Sequence, residues 1–287
     1  NKQKSPSLFG GSMIIAGTAI GAGMLANPTA MSGIWFTGSV LLFLFIWGVT
    51  TLSALMLLEA NLHFEKGANF DTITTQLLGK GWNILNGISV AFTLYILTYA
   101  YITSGGSITE SLFQRFAPEI PINHTSAALL FCLALALFVS ISTKAVDRMS
   151  TILIGGMVIA FFLSTTGLLT SAKSDILLNE VAQGETSYLP YLLSAIPTCL
   201  VSFGYHICVP TLVNYYNKNG KKVTYAVLIG SLLALLIYIF WQMAVQGNLP
   251  RAEFAPIIAK GGDVATLLGA LNRYIPIQSI GVLLDFF

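Results

Sequence analysis

Long stretches without a single charged residue dominate this sequence. No Lys, Arg, Asp or Glu occurs between Lys4 and Glu59, and only 9% of all residues are charged while 55% are hydrophobic. Soluble domains usually carry about 25% charged residues. A membrane-spanning helix needs about 20 mostly apolar residues, so this one stretch is long enough for two spans. The sequence therefore predicts an all-α integral membrane protein.

The apolar stretches between charged positions predict seven full spans and the beginning of an eighth. We expect a turn between the first two spans near Ser32–Phe36. The last apolar segment reaches only about three helical turns at Phe287, so we expect a C-terminally incomplete chain. The predicted spans are 8–33, the rest of the charge-free stretch to Glu59, 80–110, 125–143, 149–172, 187–216, 223–246, and a start near Pro276.

Basic residues divide unevenly between the two sides of the predicted spans. With a cytoplasmic N-terminus, nine of the 14 lysines and arginines lie inside, as the excess of basic residues in cytoplasmic loops requires. The inside set is Lys2, Lys4, Lys66, Lys80, Lys144, Arg148, Lys218, Lys221 and Lys222, and the outside set is Arg115, Lys173, Arg251, Lys260 and Arg273. We therefore expect a multi-pass protein whose N-terminus is cytoplasmic.

Three glycines weaken the first span in the stretch GTAIGAGM, Gly17–Met24. Glycine costs about 1 kcal/mol relative to alanine inside a helix, so Gly17, Gly21 and Gly23 would let this span unwind near mid-membrane. Freed N–H groups at the start of a half-helix favour a carboxylate, and freed carbonyls favour an ammonium group. The alternative is a packing face, because Gly17 and Gly21 form a GxxxG pair.

A second interruption falls in the sixth predicted span, where Thr198–Pro210 reads TCLVSFGYHICVP. Gly204 and Pro210 weaken this segment, and Pro197 lies just upstream. Matching weak spans in two inverted halves mark the binding site of many secondary transporters. We therefore predict one transmembrane transport domain over 1–287, with a five-helix repeat at 8–172 and a partial second repeat at 187–287.

Two ionisable residues are candidates for proton coupling. His206 is predicted deep in the membrane, where an ionisable group suggests a functional role, and imidazole titrates near neutral pH. The alternative is a neutral imidazole that hydrogen-bonds to the unwound backbone. Glu59 ends the second span, where an interfacial pair with Lys66 or a contact near Asn61 would also explain it.

Tyrosines on the third span could complete a pocket. Tyr95, Thr98, Tyr99 and Ile102 share one helix face by their i, i+3, i+4, i+7 spacing. Near an interface such residues would instead form an aromatic belt. Because Tyr95 and Tyr99 fall near mid-span, we favour a pocket.

Other functional classes find no support in the sequence. A net charge of +2 offers no basic surface for nucleic acid. Cys132, Cys199 and Cys208 lie in apolar segments without metal-ligand spacing, so we expect no disulfide, metal or cofactor. We find neither the nucleophile–base set of an enzyme nor the charged or carbonyl-rich filter of a channel.

Five stretches resemble the hydroxy/aromatic amino acid permeases of bacteria, and more closely the tryptophan-specific than the tyrosine permeases. They read MIIAGTAIGAGMLANP, LMLLEANL, FDTITTQLLGKGWNILNGIS, LYILTYAYI and SFGYHICVP. The resemblance covers the whole chain. It implies a leucine-transporter-like inverted-repeat bundle of about eleven spans in the bacterial inner membrane, and proton-driven import of an aromatic amino acid.

The resemblance also implies a substrate site at the two interruptions. Residues of the first would hold the amino and carboxylate groups, residues of the second would surround the side chain, and third-span tyrosines would complete the pocket. These are Gly17, Thr18, Gly21, Ala22, Gly23 and Met24 in the first interruption, Ser202, Phe203, Gly204 and Tyr205 in the second, and Tyr95 and Tyr99 in the third span.

Two positions depart from the family pattern. Relatives carry a lysine in the fifth span where this chain has Met157, which leaves the coupling group open. Ile207 and Cys208 replace a small and a polar residue and make that half of the second interruption more apolar. The main hypothesis is a tryptophan–proton symporter in the lipid bilayer. The alternatives are a transport-incompetent fragment or sensor, or a permease for tyrosine or another amino acid.

Overall fold

Helices account for every regular element in the described part of the chain. The computed structural model describes residues 7–141, 159, 161–163, 165–180, 187–259, 262 and 264–274. The α-helices are α1 (Leu8–Gly23), α2 (Asn27–Ala30), α3 (Trp35–Leu62), α4 (Phe70–Leu78), α5 (Lys80–Phe116), α6 (His124–Ile141), α7 (Ser174–Leu177), α8 (Leu192–Ser202), α9 (Cys208–Tyr215), α10 (Gly220–Gln246), α11 (Phe254–Ala259) and α12 (Val264–Tyr274). Short 3₁₀ turns occupy Leu189–Tyr191, Tyr205–Ile207 and Arg251–Glu253, and residues 165–171 are also helical. The all-α class is confirmed.

Within the described residues, four helical segments are long and apolar enough to cross a membrane. They correspond to the predicted second, third, sixth and seventh spans, and they are Trp35–Leu62, Lys80–Phe116, Leu189–Tyr215 and Gly220–Gln246. The predicted first and fourth spans are shorter apolar helices, α1 and α6. Much of the predicted fifth span, including Met157, lies outside the described residues, as does the predicted eighth. A helix of 28 residues such as α3 is about 42 Å long, which exceeds the hydrocarbon thickness of about 30 Å.

By their contacts the residues form two compact units. The first contains Asn1–Leu94 and Ser187–Trp241, and the second contains Tyr95–Thr186 and Gln242–Phe287. Each unit draws on segments that are far apart in sequence. The inverted repeat at 8–172 and 187–287 stays a prediction.

In the first unit, α1 and α3 both pack against α8 and α9. The aromatic rings of Phe43, Phe203 and Tyr238 form the centre of this packing, and none is more than 1% exposed. The opposite face of α3 carries exposed apolar side chains such as Phe45 and Met56. Such a face is expected where a helix meets lipid.

Polar contacts close one end of the first unit around the start of α1. Ser7 caps α1 by accepting a hydrogen bond from the Gly10 N–H. The Tyr216 hydroxyl accepts from the Gly11 N–H (3.1 Å) and donates to the Ser7 carbonyl (2.7 Å). A Cβ at Gly11 would lie 2.2 Å from the Tyr216 hydroxyl oxygen, so only glycine fits there.

Loops at the ends of α3 and α9 are joined at the same end of this unit. Lys66 Nζ donates to Asn217 Oδ1 (2.6 Å), and Lys218 Nζ donates to the carbonyl of Phe64 (2.7 Å). Asn217 and Lys218 both have positive φ, at 50° and 61°, which turns the chain sharply into α10. Both lysines thus donate to neutral oxygens.

In the second unit, a buried amide links the end of α10 to residues 165–171. Asn248 Nδ2 donates to the carbonyls of Leu168 and Ala244, each at 2.7 Å, and its Oδ1 accepts from Ser171 (2.8 Å). These bonds satisfy the amide of a side chain that is only 7% exposed.

Candidate functional site

The first interruption begins after Gly23 rather than within the glycine-rich stretch. Helix α1 stays wound through Gly17 and Gly21, and the turn Met24–Ala26 separates it from α2. The expected unwinding at Gly17 and Gly21 is therefore wrong. The physical reason is Pro28, whose ring would clash with the carbonyl of Met24, four residues earlier, if the helix continued.

The second interruption lies where the sequence predicts it. Helix α8 ends at Ser202, Phe203 and Gly204 are not helical, and a 3₁₀ turn over Tyr205–Ile207 leads into α9. Pro210 is the third residue of α9, where its missing N–H would have no intrahelical partner in any case.

Gly23 and Ser202 bring the two interruptions into direct contact. A Cβ at Gly23 would lie 1.8 Å from Ser202 Oγ and 2.8 Å from Ser202 Cα, so the absence of a side chain lets the backbones meet. The Ser202 hydroxyl donates to Asn27 Oδ1 (2.9 Å) and shares its proton with the Thr198 carbonyl (2.8 Å). Asn27 is 1% exposed, so this polar join is sealed from solvent.

One face of α1 beside this join remains exposed. Gly17, Thr18 and Gly21 all lie on it, and Gly204 is exposed in the second interruption. A Cβ at Gly17 would meet no atom within 4 Å. The Thr18 hydroxyl donates to the Ile14 carbonyl (2.8 Å) and lies 3.2 Å from Cys208 Sγ. This arrangement joins the exposed face of α1 to the start of α9.

Besides Gly23 and Ser202, three more of the predicted site residues are buried. Met24 is 3% exposed, and Phe203 and Tyr205 are fully buried. The Phe203 ring packs edge-on against Tyr238 (5.3 Å between centroids), and the Tyr205 hydroxyl lies 3.0 Å from Thr51 Oγ1. The structure thus gives both aromatic rings a packing role, and their contact with a substrate stays a prediction.

Comparison with known proteins identifies the family. Residues 4–287 match the model of the tryptophan/tyrosine permease family. The chain belongs to this family. It is 61% identical over 290 residues to the tryptophan-specific transport protein of Haemophilus influenzae, covering 100% of this chain and 69% of that protein. It is 48% identical to the tryptophan-specific transport protein of Shigella flexneri (99% and 68%) and 38% identical to the tyrosine permease of Enterobacter agglomerans (100% and 69%).

Membership of the permease family agrees with the apolar helices. The relatives are transport proteins rather than enzymes, which confirms that part of the sequence analysis. Together with the four candidate spans, the family places this chain in the bacterial inner membrane as a multi-pass protein.

The remaining predicted site residues of this permease lie on α5, on the 3₁₀ turn after Gly204, on α3 and on α1. Tyr95 and Tyr99 belong to the second unit and are 72% and 64% exposed. His206 is half-buried, and its ring stacks on Tyr205 at 5.4 Å. Glu59 is exposed in the last turn of α3, where its carbonyl lies 2.8 Å from His63 Nδ1. Ala22 lies in the last turn of α1.

Several polar residues that support the interruptions in this permease were not among the predicted site residues. Asn27 and Thr51 are two of them, through the contacts with Ser202 and Tyr205 already described. Thr51 also donates to Ser231 Oγ (3.4 Å), which accepts from Trp47 Nε1 (3.1 Å). The available signal was a hydroxyl or amide inside an apolar span, because such groups need a partner in hydrocarbon.

Proposed function

We propose that this chain imports an aromatic amino acid, with tryptophan as the preferred substrate, by proton symport. The single observation that carries the proposal is the contact of the two interruptions at Gly23 and Ser202, beside an exposed face lined by Gly17 and Thr18. Relatives at 61% and 48% identity are named tryptophan-specific, and the relative named tyrosine permease is 38% identical. The higher identity to the tryptophan-specific relatives favours tryptophan over tyrosine as the substrate.

The two interruptions offer complementary groups for the ends of an amino acid. The last carbonyls of α1, including that of Gly21, have no intrahelical donor and suit an ammonium group. The first N–H groups after Gly204, those of Tyr205 and His206, suit a carboxylate. The exposed glycines leave room for a large ring, with Phe203 and Tyr205 as the proposed indole contacts. Alternating access around this fixed site, with a cytoplasmic N-terminus, completes the proposed mechanism.

Reconstituted vesicles with an imposed pH gradient test the proposal. We expect labelled tryptophan to accumulate in vesicles that are more alkaline inside, and unlabelled tryptophan to compete better than tyrosine. Gly17→Leu should abolish accumulation, because its side chain enters the exposed face. Gly48→Leu is the matched control, since a Cβ at Gly48 on α3 also meets nothing within 4 Å. Normal accumulation by Gly17→Leu would refute the placement of the site, and binding without accumulation would favour a transport-incompetent protein or a sensor.

Which residue carries the proton is tested by measuring tryptophan exchange across the membrane separately from pH-driven tryptophan accumulation. His206→Gln and Glu59→Gln each remove one candidate proton carrier. Loss of pH-driven accumulation with retained tryptophan exchange across the membrane would assign coupling to the residue changed. If both variants accumulate tryptophan normally, neither residue carries the proton.

A further inference from the structure

The Tyr238 hydroxyl lies between the ends of the two interrupted helices. It is 2.5 Å from the carbonyl oxygen of Ala19 in α1 and 2.8 Å from that of Ser202, the last residue of α8. Both distances are within the range of hydrogen bonds from a hydroxyl donor. One side chain of α10 thus contacts the last residue of α8 and a residue about one turn before the end of α1, which together are called the helix ends below.

The ring of Tyr238 is held independently of its hydroxyl. It stacks on Phe43 (5.7 Å between centroids, 23° between planes) and meets Phe203 edge-on (5.3 Å, 88°). The side chain is 1% exposed. Because aromatic packing fixes the ring, the hydroxyl oxygen has little freedom to follow one carbonyl away from the other.

A phenol has one proton, and both neighbours are acceptors. The proton is therefore shared between the Ala19 and Ser202 carbonyls, and it serves both only while they stay within reach of one oxygen atom. Movement of either helix end breaks the sharing, and in a water-poor interior a lost hydrogen bond is costly. The arrangement favours states in which the two helix ends keep a fixed spacing.

We propose that Tyr238 is a positioning residue that fixes the spacing of the two helix ends, so that α1 carbonyls and the N–H groups after Gly204 meet a substrate together. This inference rests on the proposed function for its role in transport. Tyr238 itself is buried and is not assigned a substrate contact.

Transport kinetics of Tyr238→Phe provide the first test. This change keeps the ring and removes only the hydroxyl. We expect KM for tryptophan to rise about threefold to tenfold, the effect of one buried hydrogen bond, with Vmax per inserted protein changed less than about twofold. Tyr225→Phe is the matched control, since Tyr225 is on the same helix and 57% exposed. A fall in Vmax at constant KM would indicate a merely structural role and would overturn the proposal.

Amide hydrogen exchange in the apo protein tests the same inference without any substrate. In Tyr238→Phe we expect faster exchange in both segments, 20–26 and 203–206, and no change in Tyr225→Phe. A change in only one segment, or in neither, would contradict the shared hydroxyl. If wild-type vesicles take up no tryptophan, the proposed function fails while this exchange result still decides the role of Tyr238.

The wild-type chain gives a second measurement in case Tyr238→Phe does not insert. Segments held by one hydroxyl should open together, so their protection factors should agree within about tenfold. Protection factors that differ more widely would overturn the proposal.

Discussion

Different residues break the two interrupted helices of the first unit. At the first interruption the chain turns over Met24–Ala26 and resumes with Pro28 in the second position of α2. At the second it passes through Phe203 and Gly204, and a 3₁₀ turn then leads into α9. Proline imposes the first interruption by its covalent geometry at Met24. In the second, Pro210 opposes a continuous helix only at His206, and neither Phe203 nor Gly204 forbids one.

The packing is also tighter around the first interruption than around the second. Gly23 touches the backbone of Ser202, while an added Cβ at Gly204 would approach one atom, the Val201 carbonyl oxygen, at 3.0 Å. The first interruption is thus fixed by its own ring and by close contact. The second depends on glycine and on neighbouring hydroxyl groups.

Replacing the two prolines should give the largest difference between the interruptions. Pro28→Ala removes a penalty of about 3 kcal/mol against a helix that continues through Met24. We expect α1 and α2 to merge, amide exchange at 24–28 to slow, and tryptophan accumulation to fall at least about tenfold. Pro210→Ala should change accumulation less than about twofold, because its position needs no N–H donor. Equal effects of the two variants would show that proline does not distinguish the interruptions.

Adding one methyl group to each glycine should give a smaller difference. Gly23→Ala forces Ser202 to move and should lower the free energy of unfolding by about 1–3 kcal/mol. Gly204→Ala should cost less than about 1 kcal/mol, because only one carbonyl must shift. The loss of monodisperse protein on heating in detergent measures both. Similar melting temperatures for the two variants would contradict the close contact at Gly23.

The smallest expected effect is a difference in thiol labelling between the two sides of the second interruption in the wild-type chain. Cys199 on α8 is fully buried, whereas Cys208 at the start of α9 is partly exposed. We expect a small methanethiosulfonate reagent to modify Cys208 and not Cys199, and tryptophan to slow the reaction. Peptide mass spectrometry separates these sites from Cys132. Rapid labelling of Cys199 would mean that α8 also opens.

Much of the helical plan could be predicted from the spacing of charges, since the second, third, sixth and seventh spans all match. The position of the first interruption could not be predicted from glycine content. Glycine lowers helix propensity by about 1 kcal/mol, which packing easily overrides, while a proline affects the carbonyl four residues earlier. Because Pro28 lies four residues after Met24, this rule would have predicted the turn at Met24.

The candidate site was less predictable than the spans. Glycine and proline marked the second interruption, but nothing local in the sequence pairs Tyr238 with Ala19 or Asn27 with Ser202. These contacts join residues far apart along the chain, so they depend on tertiary packing. Mid-span polar residues were the usable signal, because hydrocarbon leaves them no water as a partner.

The hydroxyl of Tyr216, which contacts the start of α1, has a consequence for how this permease responds to pH and salt. Burial raises the pKa of Tyr216, against a smaller lowering by the Gly11 N–H, so the hydroxyl keeps its proton at neutral pH. Its contribution to stability is present below about pH 10 and is lost only as the pH rises further. Its bonds to Gly11 and Ser7 are neutral and little screened by salt. These hydrogen bonds at the start of α1 should therefore contribute the same stability at low and high salt, and at acidic and neutral pH.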